Sequence, residues 1–234
     1  MSARQHTVMV TGAAGNLGKA VASKFSSSGT QLVLIDRSAE ILGKAFGDES
    51  PDRQFLSTDL LDERAVQTSF DAAVARFGRI DALCNLAGGF RMGAAVHETA
   101  PDVWDFLWNL NVRTLLNMVR VVVPHMVDRG GGKIVNVGAY SAQKGLAQMG
   151  AYCASKSAVI RITESMAAEL RERNINVNCV LPTVIDTPEN RAAMPGADPA
   201  RWVAPTDLAS VIAFLASRSS YAVHGASVPV AGLS

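Results

Sequence analysis

Short apolar runs alternate along the chain with longer stretches in which apolar residues recur every three or four positions. Thr7–Val10, Gln31–Ile35, Arg53–Ser57, Ala82–Asn85, Lys133–Val137 and Asn176–Leu181 read as buried strands, and Val228–Val230 as a seventh. Helical spacing runs through Leu17–Ser28, Asp62–Phe77, Val103–Arg129, Ala151–Arg173 and Thr206–Ala216. Apolar strands joined by crossovers of helix length predict a parallel sheet covered on both faces. The expected fold is α/β, a doubly wound parallel sheet of about seven strands in one domain spanning residues 1–234. Gly130, Gly131 and Gly132 predict a tight helix-to-strand turn. Pro182–Trp202, with Pro188, Pro195 and Pro199, is the longest irregular segment and reads as a lid or substrate loop.

Composition narrows the picture. With 48% hydrophobic and 18% charged residues, the chain can bury a large core. A net charge of +1 with scattered Lys and Arg gives no nucleic-acid footprint. The N-terminal "MSARQHTVMVTGAAG" lacks the h-region of a signal peptide and any membrane span, so a cytoplasmic protein is expected. Cys84, Cys153 and Cys179 are an odd, dispersed set that suits reduced thiols, with Cys153 read as small apolar filler. His6, His97, His125 and His224 show no ligand spacing, and no metal is expected.

Between the first strand and first helix lies "TGAAGNLG", Thr11 to Gly18. A pyrophosphate needs backbone N–H groups at a helix N-terminus with no side chain in the way. Gly12, Gly15 and Gly18 supply the turn, the close approach and the helix–strand contact, with Asn16 and Leu17 between them. The fold is therefore expected to be of Rossmann type. The second strand ends at Asp36, 18 residues beyond Gly18. A carboxylate there can accept from both hydroxyls of an adenine ribose and repels a 2′-phosphate, favouring NAD. Arg37 leaves NADP possible, because a guanidinium can hold that phosphate. The alternative for this pair is a solvated Asp-Arg turn.

Tyr152 and Lys156 stand at i and i+4 near the start of a helical pattern, on one face with Cβ atoms roughly 6 Å apart. A free phenol has a pKa of about 10, and a nearby ammonium is expected to lower it. Tyr152 can then exchange a proton with a hydroxyl or carbonyl while hydride moves to or from nicotinamide. Without such a partner site, the pair is a surface tyrosine beside a solvated lysine.

Here the chain resembles the short-chain dehydrogenase/reductase family, from Thr7 to Pro229. "CNLAG", with Asn85, Ala87 and Gly88, resembles the family's Asn-Asn-Ala-Gly element, Leu86 replacing the second Asn. Asp59 in "STDL", followed by Leu60, matches an adenine-contacting acid. Asn111 in "NLNV" matches the catalytic Asn, which the resemblance implies holds a water in a relay with Lys156. "LPTVIDTP" resembles the Pro-Gly element after the sixth strand. There Pro182, Ile185 and Thr187 are implied to border the nicotinamide, while Thr183 takes the glycine position.

Two departures matter. Asn16 stands where most compact members carry a glycine. The family's substrate-orienting serine lies thirteen residues before the tyrosine, and that position is Ala139. "GAYSAQKG", "MGAYCASKSAV", "LPTVIDTPENRAAMP" and "CNLAGGF" are similar to the family's NADH-preferring dihydropteridine reductase branch, which has alanine there. A quinonoid ring spreads incoming charge over conjugated nitrogens, so a donor fixed on one oxygen matters less. The expectation is an NAD(P)-dependent oxidoreductase acting on a small carbonyl, hydroxyl or quinonoid substrate. The competing class is a non-catalytic dinucleotide-binding sensor or scaffold, which Ala139 favours and Asn111, Tyr152 and Lys156 oppose. The resemblance also implies a homodimer or homotetramer built on Val103–Arg129 and Ala151–Arg173. Val159, Ile162, Met166 and Leu170 form an apolar stripe that serves either such an interface or the core.

Overall fold

The structure, a computed structural model, describes residues 6–234. The first five residues of the expected 1–234 domain, and of the N-terminus read as lacking a leader, lie outside the described residues. Seven strands, β1 (Thr7–Thr11), β2 (Gln31–Asp36), β3 (Arg53–Ser57), β4 (Ala82–Asn85), β5 (Gly132–Val137), β6 (Ile175–Pro182) and β7 (Ser227–Val230), form one sheet. Their order is β3-β2-β1-β4-β5-β6-β7, and every pairing is parallel. β1, β4 and β6 are buried along their whole length, as strands covered on both faces must be.

The strand period of two divides the core. Val8 and Val10 of β1 face the layer of α1 (Asn16–Ser26) and α8 (Pro205–Leu215), where Val21, Phe25, Leu208 and Ile212 pack. Met9 faces the other layer, against Val66 and Phe70 of α3 (Glu63–Phe77) and Met118, Val122 and Met126 of α5 (Thr114–Asp128). Each such side chain, removed fully from water, contributes about 1.5–3 kcal/mol. Caps fix the ends: Asp62 accepts from the N–H groups of Arg64 and Ala65, and Gly78 closes α3 with φ +76°. Gly130 and Gly131, at φ +81° and +143°, make the expected turn into β5.

The predicted helix over Val103–Arg129 is interrupted. α4 (Pro101–Trp108) runs into one π-helical turn, Asn109–Arg113, before α5. Periodicity over this span does not register one widened turn, which shifts phase without breaking the apolar pattern. α2 (Ala39–Phe46) was not expected at all; it is only eight residues long, about two turns, too short a window for its period to stand out. The segment after β6 is less irregular than its prolines suggest, since it holds α7 (Pro188–Ala193) and a short 3₁₀ turn, Pro199–Arg201. In α6 (Gly150–Leu170) the apolar stripe belongs to the core: Val159 and Met166 are buried, with Ile162 and Leu170 packed beside them.

Candidate active site

The winding of the strand order reverses at β1: one half of the sheet runs out to β2 and β3, the other to β4 onward. Open α/β sheets bind ligands in the crevice at this switch point, beyond the carboxyl ends of the strands. A cleft of about 1670 Å³ lies there. Its walls include Gly12, Gly15, Asn16, Leu17 and Gly18 of the loop and α1, with Asp36 and Arg37 beyond β2. Asp59 and Leu60 follow β3, Ala87 and Gly88 follow β4, Pro182 ends β6, and Ile185 and Thr187 follow it. Tyr152 and Lys156 of α6 complete the wall.

Local backbone chemistry shapes the phosphate end. Gly12 has φ +63°, and a Cβ there would lie 2.9 Å from Ala87 N. A Cβ at Gly18 would collide with the carbonyl oxygens of Gly12 and Ala13. The hydroxyl of Thr11 accepts from Leu86 N (3.1 Å) and Ala87 N (3.3 Å), tying the ends of β1 and β4 together. The first turn of α1 contains no acidic residue, and its cap, Gly15, offers no side-chain acceptor. Its N–H groups are thus available to an anion. Asp36 accepts from Ala14 N (2.9 Å) and Arg37 N (2.8 Å), so one carboxylate braces the phosphate loop and presents its outer lone pairs to the cleft. A nicotinamide dinucleotide therefore fits the residues present, with phosphates at α1 and ribose at Asp36. Asn16 reaches across to α7, its amide donating to Glu189 at 2.8 Å.

Two expected site residues stand behind the cleft wall. Asn85 is buried in the sheet, its amide donating to Asn136 (2.9 Å), which donates in turn to Thr163 (2.9 Å). Asn111 sits in the π-helical turn and is buried. Its amide donates to Gly89 O (3.1 Å) and Ser155 Oγ (3.0 Å), and its Oδ1 accepts from Gly89 N (2.9 Å). The side chain is a two-sided clamp on Gly89. Between clamp and lysine runs Gly88, where a Cβ would lie 3.0 Å from both Asn111 Oδ1 and Lys156 Nζ.

The tyrosine–lysine electrostatics differ from the expectation. Burial pushes the Tyr152 phenol up to about 12, where a lowered value was expected, and pulls the Lys156 ammonium down to about 8. Both charged forms lose water, and Lys156 directs a proton to Val137 O at 2.8 Å. At neutral pH the phenol holds its proton. Phe90 stands edge-on to the Tyr152 ring, centroids 4.8 Å apart.

Ala139 lines the cleft, buried in the apolar cluster of Val112, Leu115, Val159 and Leu181, with Tyr152 at its margin. Ser141 also lines the cleft. Gln148 does not; its backbone sits at φ +61° and its carbonyl accepts from Gly93 N. Cys153 is buried, its thiol directed at Ser141 O (3.5 Å), as expected of filler. Sequence reasoning missed the outer walls: Phe90, Met92, Phe106, Leu146, Met149 and Met194. They lie on separate loops and helices, and no spacing links them. Among the described residues no cluster of metal-ligating side chains is found, and no helix is long and apolar enough to cross a membrane.

The family model for short chain dehydrogenase matches residues 6–197. D-threitol dehydrogenase of Mycolicibacterium smegmatis is 34% identical over 96% of this chain and 90% of its own. An NAD⁺-bound xylitol dehydrogenase superposes with a TM-score of 0.88 at 29% identity, covering 97% of this chain and 98% of that one. A gluconate 5-dehydrogenase of Burkholderia cenocepacia, in complex with NADP and tartrate, gives 0.88 at 29% identity, covering 97% and 94%.

Proposed function

This chain belongs to the short-chain dehydrogenase family and is an NAD(P)-dependent oxidoreductase, and from that premise we propose that it interconverts a small carbonyl or quinonoid compound and its reduced form, with NAD(H) preferred. The observation that carries the reading is Tyr152 in the cleft wall, protonated and one helical turn from Lys156, facing the crevice that the phosphate loop opens. Bound nicotinamide supplies or accepts the hydride. In the reductive direction Tyr152 delivers its proton to the substrate oxygen, so hydride on carbon and proton on oxygen convert a carbonyl to an alcohol. The high phenol pKa suits a donor more than a base. Lys156, one turn on in α6 and in the same cleft wall, is assigned to the nicotinamide ribose and to stabilising the phenolate that donation leaves. Asn111 holds Gly88–Gly89 against that lysine, which makes it a positioning residue here.

Asp36 supports NAD over NADP, because a 2′-phosphate brought against a braced carboxylate is repelled. Asp59, Leu60, Ala87 and Gly88 are assigned to the adenine and ribose side, and Pro182, Ile185 and Thr187 to the nicotinamide side. We assign the protein, one domain over 1–234, to the cytoplasm as a homodimer or homotetramer. Dehydrogenases of D-threitol, xylitol and gluconate among its relatives support alcohol–carbonyl chemistry. Ala139 supports a second reading, a dinucleotide sensor without turnover.

The test is Tyr152→Phe, which keeps the ring and removes the proton. Turnover of an identified substrate should fall on the order of 10²–10⁴-fold, with NADH affinity retained. Near-normal kcat in this variant removes Tyr152 from the mechanism. NADH binding by the unmodified protein with no turnover on any carbonyl panel favours the sensor.

A further inference from the structure

The outer half of the cleft carries several large apolar side chains, and they are wet. Phe90 is 52% exposed, Met92 56%, and Leu146 and Met194 36% each. These four come from three separate segments: the stretch after β4, the loop before Tyr152, and the end of helix α7. An exposed cluster of large apolar side chains in one cleft is a binding surface more often than an accident of packing. It is continuous with the proposed chemistry, since Phe90 touches the Tyr152 ring.

Polar side chains in the same half are already engaged. Thr183 Oγ1 donates to Ala231 O (2.9 Å), the Asn190 amide to Ile185 O (2.8 Å), and the Gln143 amide to Tyr140 O (3.3 Å). Asn109 Oδ1 accepts from Arg113 (3.2 Å). Tyr140, Ser141, Lys144 and Tyr152 are left to meet a ligand. A polyol or sugar carries a hydroxyl on nearly every carbon. Most of these would be pressed against thioether and phenyl surface and lose their water without replacement.

We infer that the substrate is an apolar ring compound with one reactive carbonyl group or a quinone pair, and that polyhydroxylated ketones and sugars are rejected. Three methionines beside an aromatic ring form a soft, polarizable wall that adapts to a flat conjugated face. The same wall disfavours a pterin, whose ring edge is a row of amino and amide groups needing partners. For its turnover arm this inference rests on the oxidoreductase reading above.

The experiment compares phenanthrenequinone, quinonoid dihydropterin and erythrulose by NADH consumption, with the unmodified protein and with the double variant Phe90→Ser, Met194→Gln. The apolar quinone should exceed both polar substrates in kcat/KM by about tenfold or more, the range a single pocket contact can discriminate. The double variant should shrink that gap mainly by raising KM for the quinone. Equal or faster turnover of erythrulose or dihydropterin by the unmodified protein overturns the inference and leaves the oxidoreductase standing. If nothing is turned over, calorimetric binding of fluorenone against erythrulose to the NADH-loaded protein decides. Fluorenone binding that the double variant weakens upholds the apolar site and places the error in the reactive group assumed for the substrate; fluorenone binding that the variant leaves unchanged overturns the inference. Absence of fluorenone binding overturns the inference.

Discussion

Replacing Lys156 with methionine should change how stability depends on pH, by an amount the structure sets. The side chain is buried, and its ammonium falls from 10.5 to about 8 because burial strips its water. That difference corresponds to about 3 kcal/mol. Between pH 8 and 10.5 the unfolded chain binds the lysine proton while the folded chain releases it. Stability therefore rises with pH through this window, and below it the folded protein carries the full penalty. Methionine fills similar volume and has no proton, so its curve should lack this rise. Losing the donor to Val137 O costs a further ~1–3 kcal/mol, independent of pH, so the gap at a single pH is not diagnostic. The slope is. Cys179, whose thiolate would raise Lys156, is itself pushed up to about 11 by burial, so it stays largely neutral across the window. Urea unfolding of both proteins without cofactor, at steps of about one pH unit, measures the difference. It should change by about 3 kcal/mol in favour of the wild type as pH climbs. Parallel curves would show that the buried lysine is not desolvated as the structure implies.

Three further outcomes are expected. Asp36→Asn should narrow the NADH-over-NADPH preference by about tenfold, measured by fluorescence titration, because it removes the charge while keeping an acceptor for the phosphate loop; an unchanged ratio would remove Asp36 as its source. Ala139→Ser should raise kcat/KM on isolated ketones by on the order of tenfold or more and leave quinones nearly unchanged, since it restores one donor aimed at a single oxygen; equal gains on both classes would contradict the charge-spreading argument. Gly18→Ala should destabilise the fold by ~1–3 kcal/mol in chemical unfolding and weaken dinucleotide binding, because its Cβ meets two backbone carbonyls that cannot give way; a neutral result would show that the loop and α1 are not in close contact.

What could be read from the chain was what the backbone dictates. All seven strands were legible within a residue or two at each end, the buried ones such as β1 and β2 from their apolar runs and the partly buried β3 and β7 from their alternation with helical patterns. Gly12 and Gly18 were legible because steric exclusion leaves one residue type for those positions. Tyr152 and Lys156 were legible because a four-residue spacing on a helix fixes a common face. The sign of the tyrosine's shift was not. It depends on how much water the fold removes from the phenol, which no local spacing records. The π-helical turn at Asn109–Arg113 was hidden for a related reason: one extra residue in a turn rotates Asn111 toward Gly89 without altering the apolar count.

The substrate wall was the least legible part, and its physics explains why. Phe90, Met92, Leu146 and Met194 are large apolar residues in irregular or terminal positions, where a sequence offers no period against which to call them misplaced. Exposed apolar side chains occur elsewhere on the surface, Phe214 and Leu233 among them, so the meaning of these four comes from their lining one cleft together with Tyr152. A cofactor end constrained by backbone geometry and a substrate end constrained only by side-chain character can therefore diverge independently. The glycines and the Tyr152–Lys156 pair keep the chemistry fixed, because a change of one atom at Gly18 or Gly88 meets backbone or a reacting group. Met92 and Met194 can be exchanged without touching either, and each exchange alters what is admitted while the proton donor stays in place.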